Sequence, residues 1–214
     1  AVNNAAYDYI SRCAEEDMNI SLPPQDLRIW LFHSLRASSA VMIHSGAVVD
    51  VDKLEAYLGN YSALLKYFMP DITLGMKDVT AYSTIYSETC HELAHASHFT
   101  KVGTGYWNKY IRYILESYIK TGGQMYGDGN SEYAGYCEVG ECWAYYLESM
   151  MYKERYGGSI PTFGTGYWFY PQVFRYLDER GLSRSDIFSV LGENVMSMDA
   201  VRTVLTETFP EKRT

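Results

Sequence analysis

Residues 80–99 read TAYSTIYSETCHELAHASHF, and the rest of the chain is organised around them. The stretch is a long helical segment that carries His91, Glu92 and His95. Positions i and i+4 lie one turn apart on one helix face, so two imidazoles there can converge on a single metal ion. Zinc accepts histidine nitrogens at about 2.0–2.1 Å. Glu92 is turned by about 100° from His91, which stands it beside a metal rather than on it, within reach of a water there. Random composition produces His-Glu-x-x-His in roughly half a per cent of chains this long. A third donor is what separates a site from a coincidence.

Three side chains compete for that place. His98 continues the helical face, but a straight helix carries it a further turn away, and Ala96-Ser97 offers no glycine turn to bring it back. The other two are Glu138 and Glu141, on a later helix predicted over 136–155. Glu138, Glu141, Tyr145 and Glu148 share one face of it, a pattern that usually means a solvated stripe. Against that stand Gly140 and Ala144, whose small side chains let a second helix approach closely enough for a carboxylate to reach a metal.

Residues 91–95 and 140–146, the latter Gly-Glu-Cys-Trp-Ala-Tyr-Tyr, together resemble the two halves of a gluzincin metallopeptidase. Glu141-Cys142-Trp143-Ala144 is similar to the Glu-x-aromatic-Ala pattern of branches related to the anthrax lethal factor catalytic domain, although Leu147 stands where a second aromatic is common. The resemblance covers residues 72–155. It implies a zincin-like domain with His91, His95 and Glu141 as Zn²⁺ ligands and Glu92 as general base. It also implies a tyrosine upstream of the ligand glutamate that stabilises the oxyanion; Tyr133 is nearest to that place, one position too far, with Tyr136 as the alternative. The strand at 72–74 is expected to be the edge strand on which such enzymes pair an extended substrate. Gly75-Met76-Lys77-Asp78 differs from the aminopeptidase signature, so an endopeptidase acting on a peptide or protein is expected. The alternative is a degenerate peptidase fold that binds zinc without catalysis.

The remaining sequence bounds this expectation. A length of 214 residues suits one domain, 1–214. Helices are predicted over 4–16, 24–36, 53–69, 106–120, 167–180, 184–191 and 198–206, with Ser183 and Ser197 as caps of the last two. Short strands are predicted at 41–44 and 72–74. The sum is α+β, mostly helical with a small sheet. A net charge of -8 argues against nucleic acid, because phosphate contacts need a basic face. No apolar run approaches the roughly 20 residues of a membrane helix. The first residue is not Met and no basic-then-apolar leader opens the chain, which with the enzyme class suggests a secreted or periplasmic protein. Cys13, Cys90, Cys137 and Cys142 match no zinc-knuckle spacing and read as buried apolar residues, with a Cys13–Cys90 bridge left open. The 21 tyrosines suggest a wet aromatic surface.

Overall fold

A computed structural model describes residues 1–47 and 70–212; the helix predicted at 53–69 lies outside them. In chain order the elements are α1 (Val2–Cys13), β1 (Ile29–Phe32), β2 (Ser39–Ala40), β3 (Ile72–Gly75), α2 (Tyr82–Thr121), α3 (Ala134–Tyr156), α4 (Gln172–Asp178), α5 (Arg184–Val190) and α6 (Met198–Thr208). The architecture is α+β, mostly helical with a three-stranded sheet. No helix among the described residues is long and apolar enough to cross a membrane.

The first helix buries Ala5, Tyr9 and Cys13, spaced four apart on one face. Tyr9 donates to Ser97 Oγ at 2.8 Å and so fastens α1 to α2. The helix begins at Val2, two residues before the predicted start at 4.

The predicted second helix is absent, and β1 stands in its place. Ile29-Trp30-Leu31-Phe32 is β-branched and aromatic, which suits a pleated surface. It finds a parallel partner in β3, in the register Ile29↔Ile72 to Phe32↔Gly75. The strand expected at 41–44 forms two residues earlier, as β2, antiparallel to β3. Met42 ends it by taking a left-handed φ of 62°. The buried carboxylate of Asp71 then accepts hydrogen bonds from the backbone N–H groups of Arg28 and Ser45. That one side chain ties the ends of β1 and β2 to β3.

The sheet order is β1-β3-β2. β3 is therefore the fully buried central strand, not the edge strand expected of residues 72–74. Its neighbour β2 lies beside the candidate metal-binding groups described below.

The helices predicted on either side of Gly103 are one 40-residue element, α2, broken at that glycine. Gly103 has φ 75° and ψ 176°, a conformation open to glycine and costly for other residues. The break changes the direction of the helix, so its second half packs beside the first half's His95 instead of running on. Trp107 binds the carbonyl of Ala40 through its indole N–H at 3.1 Å, joining this second half to β2. Gly122 closes α2 in the left-handed conformation common at helix ends.

α2 and α3 form the main helix pair. The core they share includes Trp107, Trp143, Leu93, Ala94, Ala144 and Leu147. Gly140 sits at the contact; a Cβ there would lie 3.6 Å from the Tyr110 ring and 3.9 Å from His95. All four cysteines are buried and free, which removes the Cys13–Cys90 bridge. α5 begins on the predicted Ser183, with a complete capping box to Asp186, and α6 on the predicted Ser197. α4 is shorter than expected because 167–169 turn their rings toward Tyr126 and Tyr145 instead of continuing a helix.

Gly135 touches the segment leading into α6 so closely that a Cβ would meet the Met196 carbonyl oxygen at 2.0 Å. Backbone has little room to yield there. Gly135→Ala is expected to destabilise the protein by about 3 kcal/mol, read from the urea unfolding midpoint. An unchanged midpoint would mean that α3 and the 196–197 segment do not meet in this way.

Candidate metal centre

His91 and His95 project from the first half of α2, one turn apart, and both are buried. Their Nε2 atoms are 3.1 Å apart. Glu141 of α3 enters between them, with Oε2 3.4 Å from His91 Nε2 and Oε1 3.5 Å from His95 Nε2. The potential donor atoms of the three residues all lie within 4.8 Å of one another. Ligand bonds of about 2.0–2.1 Å in a tetrahedron place adjacent donors roughly 3.3 Å apart. The His91–His95 separation and that from His91 to Glu141 Oε2 fall close to that value.

The electrostatics agree with a cation site. Glu141 Oε2 is buried without a hydrogen-bond partner, although a desolvated carboxylate needs compensation. Burial alone would push the Glu141 carboxyl up, but His95 and His91 hold it well below the usual range. Burial pulls His91 down, yet the neighbouring carboxylates of Glu141 and Glu148 hold it well above its usual value. Burial leaves His95 below its own usual value. In the metal-free protein a proton on His91 thus supplies positive charge where a metal ion would bring it.

Glu92 is 4 % exposed and lines the same cleft. Burial pushes its pKa up to about 8, helped by Glu141, Glu88 and Glu148 and opposed by His91. A divalent cation nearby favours the ionised carboxylate, the form a general base requires.

Two groups at the centre were not singled out by the sequence. Glu148, one of the predicted stripe, lies two turns beyond Glu141 on α3, and its Oε2 is 3.1 Å from His91 Nδ1. With the proton held on Nδ1, the Nε2 lone pair is free for a metal. Its spacing of seven from Glu141 was the available signal. Tyr110 belongs to the second half of α2; its hydroxyl donates to Glu141 Oε1 at 2.5 Å and lies 3.5 Å from His95 Nε2. No local spacing could announce it, since the bend at Gly103 is what returns it to the site.

The other candidates are placed elsewhere. The ring of His98 packs between Tyr106 and Trp107, away from the donor group. Glu138 accepts a hydrogen bond from the Met198 N–H at 3.1 Å and so satisfies the first turn of α6. Tyr133 precedes α3 with a left-handed φ of 66°; its ring faces Tyr136 at 5.7 Å and the Arg112 guanidinium at 5.6 Å. Tyr136 donates to Met196 Sδ and accepts from Lys109. The phenols that line the cleft are Tyr110 and Tyr126. Tyr145, predicted on the Glu141 face, lays its ring 4.4 Å from that of His91.

The cleft above the three donors has a cavity volume of about 40 Å³ and opens to solvent. Residues 38–41, which include β2, line it together with the apolar side chains of Ile111, Ile114, Leu115 and Met125. Such a site can hold one divalent cation on two imidazoles and a carboxylate, beside a carboxyl group able to exchange a proton, against an apolar surface. Comparison with protein-family models, with curated proteins and with solved structures finds no match.

Proposed function

We propose that this chain is a zinc-dependent endopeptidase of the gluzincin type, with His91, His95 and Glu141 as zinc ligands and Glu92 as general base. The observation that carries this reading is the meeting of the two imidazoles of one helix with a carboxylate of a later helix, in a cleft that also contains Glu92. Nitrogen and oxygen donors at these separations suit tetrahedral zinc with three protein ligands and one open position, the arrangement of catalytic sites.

When bound, zinc would polarise a scissile carbonyl and lower the pKa of a coordinated water to about 7. Glu92 takes a proton from the attacking water and returns it to the leaving amine. Glu148 keeps the His91 ring oriented. The lining at 38–41 offers backbone to an extended peptide, and the apolar lining favours an apolar side chain. Tyr133, which the family resemblance suggested for the oxyanion, does not line the cleft; Tyr110 is the phenol beside the donors.

Metal analysis of the purified protein, followed by a peptide-library digest with and without a chelator, tests the proposal. About one equivalent of zinc and chelator-sensitive cleavage at internal bonds are expected. Zinc without cleavage would replace it with a binding protein on a degenerate peptidase fold. Absence of metal uptake would sink both readings.

A further inference from the structure

We infer that Tyr110 is a positioning residue of the metal centre: its hydroxyl occupies one oxygen of Glu141 and leaves that carboxylate a single free oxygen for a metal. The inference rests on the metal-binding part of the proposal above and not on peptidase activity.

A carboxylate facing a divalent cation can bind through one oxygen or both. Which it does depends on what else holds it. Here Oε1 accepts the Tyr110 hydroxyl at 2.5 Å, whereas Oε2 is buried with no hydrogen-bond partner. The two oxygens of one side chain are thus unequal, and the unpaired one is 3.4 Å from His91 Nε2. The phenol is held in place. Tyr110 is 5 % exposed, its ring is 4.7 Å from that of Trp107, and its other side meets the bare backbone of Gly140.

The arrangement has a chemical consequence. A carboxylate bound through both oxygens takes up a coordination position that a catalytic site keeps for water or substrate. By holding Oε1, Tyr110 keeps that position open. Tyr110 does for Glu141 what Glu148 does for His91: each partner of a ligand fixes which atom faces the metal.

Tyr110→Phe retains the ring and removes only the hydroxyl. Tyr113→Phe, on the same helix as Tyr110, is the control, because that hydroxyl bonds the Tyr126 carbonyl and the Gly129 N–H without touching a donor. Zinc affinity is measured by competition with a chromophoric chelator, and cobalt(II) reports coordination through its visible spectrum. Tyr110→Phe is expected to bind zinc about 10–100-fold more weakly and to shift the cobalt bands. Tyr113→Phe is expected to change neither. Equal zinc affinity and an unchanged cobalt spectrum in Tyr110→Phe would overturn the role of Tyr110 alone. Failure of the wild-type protein to take up zinc or cobalt would overturn the metal centre itself. A phenolate-to-copper absorption band that is present in copper(II)-loaded wild type and lost in Tyr110→Phe would put the Tyr110 oxygen on the metal and overturn the hydrogen-bonding role, whereas absence of such a band supports it.

Discussion

Glu92→Gln is expected to keep zinc and to lose the proposed peptide hydrolysis by about 10²–10⁴-fold in kcat, the usual contribution of a positioned general base. Glutamine preserves the shape of a side chain that is 4 % exposed, so the fold and the three donors stay in place. What disappears is the capacity to take and return a proton. The same variant has a second signature in the metal-free protein. Burial raises the Glu92 pKa to about 8, far above that of the same carboxyl in the unfolded chain, near 4.3. A group whose pKa is raised on folding supports stability fully below its unfolded value and loses that support as pH rises toward its folded value. Metal-free wild type should therefore lose stability between about pH 4 and 8 relative to the variant. Thermal melting of both proteins in chelator, at pH 5 and pH 8, checks the sign. Full activity in Glu92→Gln would remove Glu92 from the mechanism; parallel melting curves would remove the buried, ionising carboxyl.

Glu141→Ala is expected to weaken zinc binding by more than about 100-fold, beyond the effect of losing a partner of a ligand. The change removes one of three donors and leaves the Tyr110 hydroxyl buried without its acceptor. Glu138→Ala, three residues away on the same helix, is expected to keep its zinc. Its cost is the hydrogen bond to the Met198 N–H at the start of α6, about 1 kcal/mol of stability as for other lost helix caps. Zinc affinity and urea midpoints, measured on both variants, separate a ligand from a cap. Metal loss in Glu138→Ala with retention in Glu141→Ala would transfer the third donor to Glu138.

The sequence made parts of this centre legible because they depend on local geometry. His91 and His95 are four residues apart, and a helix alone puts them on one face. Ser183 and Ser197 were readable for the same reason, since a cap bonds a backbone N–H only three residues ahead. Local pattern misled where a partner decided the outcome. Residues 29–32 extend because β3 lies alongside them, and β3 became central because β2 closed its other side. Neither pairing is visible in the strands themselves, whose partners lie about 30 to 40 residues away in the chain.

By itself, then, the sequence determined two imidazoles and a carboxyl at one turn of one helix, a later acidic helix with small residues to bring it close, and a chain of mixed α and β character. Only the tertiary structure chose Glu141 over Glu138, by turning one toward the histidines and the other toward α6. Only the break at Gly103 delivered Tyr110, and only the contact of α2 with α3 set Glu148 on His91. The physical reason is reach. A helix dictates the relation between residues a turn apart, whereas the groups that orient the donors come from separate helices or helix halves. Their meeting is decided by how those segments bury their apolar faces.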